Sequence, residues 1–583
     1  MTASARNLNF GTLSVFLVAS LVAALVGQMW GPTWTVETTP LGVQTDEDGK
    51  QSITFDGEPR SLEDAIPLEE IQLTPEELND SKLRWEAEPL NQLGFEDNGA
   101  SERSFFQIES QRHWGVWSFL PAIITIGLCW VTKEPISSLL AGIVVGALLM
   151  GQFDILGGVL IPSISTTTAA TILILYLWLL GGLMGVWAKT GASQAFAEYM
   201  AKNYVRGPRS AKFVAWLLGV IFFQGGTISS VLVGTTVKPL ADKERVSHEE
   251  LSLIVDATSS PIAILLAFNA WPIYIQAFLG VAGVSYLATE KSRLEFFFGA
   301  VPLSFYAAFS VLATLLLALD KHPLMPRKLK LARQRARETG ELNAPGSEPL
   351  ANEAFQESDV TILHPATPLD FFLPLIALLG IAIGTYKALG SPNVLWAFGA
   401  ALLLAACMAW VKGMTLRTII GAVLEGQKSV ILGSVILLLA ITIGKISQDV
   451  GAGHYLVSLL GDFPWHWALP AAVFLIAVVI AFSTGTCWGT YAVTFPLVMP
   501  LAYAVATNQE LTHPDLFMAI CFAACLNGGV FGDQCSPISD TTILSSISTG
   551  ADLMDHVTTQ IPIALQAAGL ALVLWTGMAY YCA

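Results

Sequence analysis

The chain has 583 residues, of which 53% are hydrophobic and only 13% charged, where a soluble domain carries about 25% charged residues. Apolar runs of about 18–25 residues recur along most of its length, the pattern of a polytopic helical membrane protein rather than of a soluble enzyme. The net charge of −16 is local: residues 31–113 hold 19 Asp/Glu against 6 Lys/Arg, so the remainder is near neutral and charge implies no nucleic-acid partner.

Residues 1–30 contain an apolar run behind a short start with Arg6, read as an uncleaved first membrane helix with a cytoplasmic N-terminus. Residues 31–113 follow as an acidic extracytoplasmic insertion, a small folded appendage with short amphipathic pieces. A first membrane half covers 114–319, with spans near 115–131, 135–161, 165–187 and 293–319. Residues 320–366 form a linker, basic and then polar, and 367–583 a second membrane half. About 12–14 spans are expected in all, some of them broken.

Lys and Arg gather in three connections: Lys189 to Lys212, Lys321 to Arg337, and Lys412 to Lys428. The positive-inside rule places all three in the cytoplasm and the acidic insertion outside, in a bacterial inner membrane. The seven cysteines show neither a disulfide framework nor zinc spacing.

The halves carry related blocks. GASQAFAEYM from Gly191 precedes GAGHYLVSLL from Gly451 by 260 residues, and FQGGTISSVLVGTTVKPL from Phe223 precedes FSTGTCWGTYAVTFPLVMPL from Phe482 by 259. SHEELSLIVD from Ser247 precedes THPDLFMAIC from Thr512 by 265. The opening spans of the two units face the basic connections in opposite senses, the mark of inverted-topology repeats in an all-α transporter.

Within the repeats, polar residues interrupt apolar sequence. FGDQCSPISDTTILSS at 531–546 sets Asp533 and Asp540 where lipid or packed helices are expected, with Pro537 between them. An ionisable side chain at membrane depth is costly and marks an ion or substrate path. Proline breaks the helix and frees carbonyl oxygens. Carboxylates, hydroxyls and carbonyls are the ligands of a hard cation such as Na+. A second acid, Asp256, lies in LIVDATSSPIAIL ahead of Thr258, Ser259 and Pro261. In the ungapped register Asp256 aligns with Cys521, so the two acids are not strict mates.

Each half also has a Gly-Thr interruption, QGGTISS at 224–230 and STGTCWGT at 483–490. Paired interruptions point to a midplane site. The proton- and cation-binding candidates are thus Asp533, Asp256 and Asp540, with Na+ at Asp533 and its neighbouring hydroxyls and carbonyls. The lining candidates are Gly226, Thr227, Ser229, Thr258, Ser259 and Asn269 in the first half. In the second they are Thr484, Gly485, Thr486, Ser536, Pro537, Ser539 and Thr541. No histidine is placed deep in a span; His556 stands beside the last one. Lys238, before Pro239, is read as snorkelling to the surface. No P-loop, HExxH or GxSxG motif occurs, so neither an ATP motor nor a hydrolase is visible.

GDQCSPISDTTILSS at 532–546 resembles the signature of NhaC-type Na+/H+ antiporters of the ion transporter superfamily. STGTCWGTYAVTFPLVMPLA at 483–502 and IVDATSSPIAIL at 254–265 are similar to other blocks of that family. Gln534 and Cys487 stand where the family pattern often has His and Ser. The resemblance implies an inverted-repeat core with broken or re-entrant helices. It also implies ion-coupled transport, with Na+ and H+ as transported ions and no cofactor. A Na+- or H+-coupled carrier of a small carboxylate or amino acid is the alternative, and a channel or intramembrane enzyme a third reading. A homodimer stays open.

Overall fold

The computed structural model describes residues 3–41, 43–45, 51–55, 58–68, 78–79, 90–97, 103–132, 135–223, 226–269, 271–281, 284–349, 366–389, 392–460 and 464–582. Helix α1 (Ala3–Met29) leads into the acidic segment, where alternation of polar and apolar residues gives strands. These are β1 (Thr33–Leu41), β2 (Val43–Thr45), β3 (Gln51–Phe55), β4 (Glu58–Ser61), β5 (Ile66–Pro67), β6 (Asn91–Asp97) and β7 (Arg103–His113). One sheet has the order β1-β7-β6-β5, with Thr33 opposite His113, and a second the order β2-β3-β4. Ile53, Leu93 and Phe105 form their small core. The appendage is therefore a β-structure on an otherwise helical protein. Most of the amphipathic stretch expected near 63–89 lies outside the described residues.

The first membrane half comprises α2 (Leu120–Thr132), α3 (Pro135–Leu149), α4 (Ile161–Ile164), α5 (Thr167–Leu173), α6 (Gly181–Thr190) and α7 (Ala192–Tyr204). It continues with α8 (Pro208–Ile221), α9 (Gly226–Lys243), α10 (His248–Ala257), α11 (Ser260–Leu265), α12 (Trp271–Gln276), α13 (Glu290–Ala300) and α14 (Phe305–Ala318). The linker holds α15 (Arg327–Thr339). The second half comprises α16 (Leu369–Leu389), α17 (Val394–Val411), α18 (Leu416–Asp449), α19 (Ala452–Leu460), α20 (Leu469–Thr484), α21 (Cys487–Asn508), α22 (Pro514–Cys535), α23 (Asp540–Thr549) and α24 (Leu553–Tyr581).

Among the described residues six helices are long and apolar enough to cross a membrane, or eight if each of two bent pairs is one span. Shorter apolar helices at Ser14–Met29, Gly115–Leu128 and Ile136–Leu149 stand beside these.

The same order of elements occurs twice. α6 ends at Gly191 (φ +69°) and α18 just before Gly451 (φ +65°), and each left-handed glycine turns the chain into a short helix, α7 or α19. A hairpin follows (α8–α9, α20–α21), then a helix that breaks before a short continuation (α10/α11, α22/α23). α6 and α18 pack tightly at glycines: a Cβ on Gly185 would lie 2.0 Å from Ala422 O, and one on Gly426 2.0 Å from Gly181 O. The repeats also exchange contacts. α9 lies on α23, where Ser548 Oγ donates to Ser230 O at 2.9 Å, and Tyr274 of α12 donates to Trp488 O of α21 at 2.8 Å.

α18 sets a ruler across the molecule. Its 34 residues span roughly 50 Å at 1.5 Å per residue. Beside its start, Lys412 pairs with Asp370, and Thr190 at the end of α6 lines the same cavity. Beyond its other end, Ser118 donates to Val450 O at 2.7 Å and the His113 ring meets Tyr455 at 5.3 Å. α6 thus runs toward the Lys412 end while its counterpart α18 runs away from it. The β appendage and the basic connections occupy opposite ends of this helix.

Candidate functional site

The two broken helices meet in the middle of the fold. α10 stops at Ala257, and Pro261 restarts the chain as α11 after the Thr258–Ser259 break. α22 stops at Cys535, where Ser536 turns extended (φ −76°, ψ 130°), and Asp540 opens α23 beyond Pro537. Ser260 Oγ donates to Asp533 Oδ2 at 3.2 Å and so joins the two breaks. Asp256 and Asp533 each sit in the last turn before their break. The ungapped register hid this because α10 has 10 residues and α22 has 22.

Asp533 is buried, with 3% of its surface exposed. Ser539 Oγ donates to its Oδ1 at 2.8 Å, and the Cys487 thiol also hydrogen-bonds to it. Among the described residues no Lys, Arg or His forms an ion pair with it. Hydroxyl and thiol donors alone do not neutralise a buried carboxylate, so Asp533 calls for a proton or a mobile cation.

Asp256 is fully buried and has a different environment. His556 Nε2 lies 3.1 Å from its Oδ2, and Gln560 Nε2 donates to the same oxygen at 2.8 Å. Ser259 Oγ approaches Oδ1 at 3.5 Å while donating to Asp256 O at 2.6 Å. The Gln560 amide also donates to Gln534 O, the carbonyl one residue beyond Asp533, and thereby bridges the two acid centres. His556 Nδ1 and Gln560 Oε1 are buried and have no hydrogen-bond partner among the described residues. A carbonyl oxygen and a ring nitrogen left open beside two carboxylates suit a water or a cation in transit.

The reading of His556 as lying merely beside its span is corrected here. It is fully buried, one turn from Gln560 on α24, and both face Asp256. Its sequence signal is HVTTQ, a His/Gln pair at i, i+4 ahead of the apolar run of the last span. Ser260 is the other missed residue; it stood in the quoted TSSP run, but the Asp533 contact depends on the fold.

The expected lining residues divide. Ser536 Oγ donates to Phe482 O at 2.7 Å, and Thr541 shares a hydrogen bond with Ser539 at 3.1 Å. Gly485, at φ +68°, caps α20, and a Cβ there would meet Ile538 O at 2.8 Å. These residues and half-buried Pro537 surround the second break. Ser539 takes the N-cap position of α23 and Asp540 the first helical one; the residue is exposed, and its carboxylate accepts from the Thr541 backbone N–H within reach of Asp533.

Thr484 and Thr486 line a small cavity with Thr125 and Ser138, next to that break. Ser229 is buried on α9, its Oγ without a partner among the described residues. Thr258 donates to Ile254 O at 2.7 Å, a helix-end bond. Asn269 braces α11 against α12, donating to Ala263 O at 2.8 Å and accepting from Trp271 N at 2.9 Å. Gly226 opens α9; the side chain of Thr227 lies outside the described residues. Lys238 pairs with Asp242 at 2.8 Å and not with a site acid.

Known proteins resemble this chain in sequence. The model of the Na+/H+ antiporter family matches residues 269–578, more than half of the chain, including Asp533 and His556. An uncharacterised protein of Haemophilus influenzae is 30% identical over 471 residues, 78% of this chain and 89% of that one. The malate-2H(+)/Na(+)-lactate antiporter of Bacillus subtilis is 31% identical over 105 residues, 18% of this chain and 20% of that one. Among solved structures, the Alcanivorax borkumensis YdaH transporter is 12% identical, with a TM-score of 0.47 over 74% of this chain and 89% of that one.

Proposed function

Because the chain belongs to the Na+/H+ antiporter family and is a multi-pass secondary transporter, we propose that it exchanges Na+ for H+ at the junction of its two broken helices. In this reading Asp533 binds the cation. The observation that carries it is a buried carboxylate with three neutral donors and no fixed counter-charge among the described residues. A protonated Asp533 leaves an uncharged site; loss of the proton leaves an anion stabilised by incoming Na+. The two occupants then exclude each other, which suffices for exchange.

Asp256 and His556 form the companion centre, which holds and passes the proton. Gln560 ties its state to the backbone next to Asp533. Asp540, exposed at the start of α23, stands where an entering cation would first meet a carboxylate.

The orientation is read from charge. Arg209 and Lys212 both contact Asp320 of the linker, at 3.0 and 2.5 Å. Lys412 lines one cavity with Thr190, beside Lys189 at the start of the first connection. All three basic connections therefore share one end of the molecule. The positive-inside rule supports assigning it to the cytoplasm of a bacterial inner membrane, with the N-terminus inside and the β appendage outside. The roughly 50 Å between these ends exceeds a bilayer's hydrocarbon core of about 30 Å.

The test is purified protein in liposomes carrying a pH-sensitive dye. Added external Na+ should alkalinise the lumen without any organic solute. A pH response that requires malate, lactate or an amino acid would replace this reading with the carrier alternative.

A further inference from the structure

The basic run at 321–337 does two separate jobs. On the inner side of α15, Arg333 pairs with Glu250 at 2.7 Å, Arg335 with Glu249 at 2.8 Å and Arg337 with Asp320 at 2.7 Å. Leu329, Ala332 and Ala336 are buried along the same side. Glu249 and Glu250 lie in the first turn of α10, whose far end carries Asp256. This half of the basic run is a clamp on the helix that bears a site acid.

The other cations are not used that way. Lys321, Arg327, Lys328 and Lys330 are exposed, and no ion pair among the described residues involves them. Two leucines stand among them with most of their surface open, Leu324 at 69% and Leu331 at 54%. Leu331 follows Arg327 by four residues and Lys328 by three, so the three share one face of the helix.

The depth of this segment is fixed independently. Gln566 Nε2 of α24 donates to Leu324 O at 3.0 Å. Gln566 lies several residues inside the apolar stretch of α24 that begins at Ile561, flanked by outward-facing Leu565 and Leu570. Leu324 is thus level with outward-facing leucines of a candidate membrane span; Lys321 stands just before it, and Arg327, Lys328 and Lys330 follow close behind. Apolar side chains at the bilayer edge beneath a row of Lys and Arg match the chemistry of an anionic lipid surface.

We propose that the outer face of α15, with the Lys321–Leu324 turn before it, binds the anionic headgroups of the adjacent leaflet. Leu324 and Leu331 insert beside the acyl chains, and Lys321, Arg327, Lys328 and Lys330 contact phosphate oxygens. The occupant is lipid rather than nucleic acid or a soluble acidic protein, because Leu324 is level with the outward-facing leucines of α24 and Leu331 stands on the same face as Arg327 and Lys328. Lipid bound on the outer face steadies α15 and, through Arg333 and Arg335, α10; exchange then depends on anionic lipid. Only the choice of the cytoplasmic leaflet rests on the orientation proposed above.

The test uses the full chain with Cys129 and Cys407 replaced by Ser and a spin label at Leu331→Cys. It is reconstituted in phosphatidylcholine alone or with phosphatidylglycerol. Added phosphatidylglycerol should raise the label's collisions with oxygen and lower those with a water-soluble nickel chelate. Replacing the four cations by Gln should remove the response, each cation accounting for about fivefold in partitioning. Equal accessibility in both vesicles, a response that survives in the four-Gln variant, or protection from the chelate by oligonucleotide in place of lipid would overturn the proposal. This readout needs no transport, so its failure is distinct from failure of the exchange reading. The unlabelled chain gives a second reading: its exchange rate should rise with phosphatidylglycerol content, and a rate indifferent to it would remove the link to α10.

Discussion

Lys212→Met should weaken the protein and its transport together, although Lys212 touches neither site acid. Lys212 is completely buried on α8. Its ammonium donates to Glu250 at 3.0 Å, to Asp320 at 2.5 Å and to Leu317 O at 3.4 Å. Methionine keeps the volume but leaves two acids short of one positive charge. Breaking a buried pair from one side costs about 3–5 kcal/mol. Arg333, Arg209 and Arg337 remain on these acids, which favours the lower end, about 3 kcal/mol.

The pH dependence has a definite sign. Burial alone would raise the Asp320 carboxyl, but Lys212, Arg337 and Arg209 outweigh it and hold it well below the usual carboxylate range. Its folded value thus lies below its unfolded one. The contribution is complete at neutral pH and is lost only as pH falls below the ordinary carboxylate range toward the depressed value. Thermal unfolding in detergent should show Lys212→Met well below wild type at pH 7, with the gap narrowing only in strong acid. Adding Glu250→Gln should restore about 1–2 kcal/mol, since an amide can be buried without its counter-ion. A Lys212→Met protein within about 0.5 kcal/mol of wild type, the range of an ordinary surface change, would refute the reasoning.

Three further outcomes follow from the site. His556→Gln keeps a donor toward Asp256 but removes the titratable ring; Na+ binding by calorimetry should persist while the pH profile of exchange changes, and an unchanged profile would remove His556 from the proton path. Ser260→Ala deletes one donor to Asp533, and since a hydrogen bond to a charged group contributes about 1.5–3 kcal/mol, apparent Na+ affinity should fall roughly tenfold or more; unaltered affinity would make the joint between the breaks structural only. Gly426→Leu should abolish folded protein in the membrane because a Cβ there lies 2.0 Å from Gly181 O, whereas Gly384→Ala, with open space around it, should express normally.

The acids, the breaks and the twofold order were legible in the sequence because each is a local violation of membrane rules. A carboxylate, a proline or a Gly-Thr pair stands out in apolar sequence whatever surrounds it. Gly191 and Gly451 were readable for the same reason, as the matched glycines that open GASQ and GAGH. Partnership was not readable. Ser260 reaches Asp533 across 273 residues, and His556 and Gln560 reach Asp256 across 300 and 304.

The ungapped register misjudged the relation of the two acids because helix length, not sequence offset, sets where each break falls. Asn269 looked like a site amide, yet its three bonds go to backbone, because a buried helix end must satisfy its polar groups before anything else. The acidic segment stands apart from the apolar sequence by its charge, while its strand pairing, β1 against β7 across about 70 residues, lies beyond local pattern.

The central claim is that Asp533 is the group at which Na+ and H+ exclude each other. It is tested most directly by radioactive Na+ uptake into proteoliposomes driven by an acid lumen, comparing wild type with Asp533→Asn. The account predicts rapid uptake that collapses with the pH gradient in wild type, and none above empty vesicles in an Asp533→Asn protein that inserts and melts normally. Proton-driven uptake at the wild-type rate by that folded variant would contradict it.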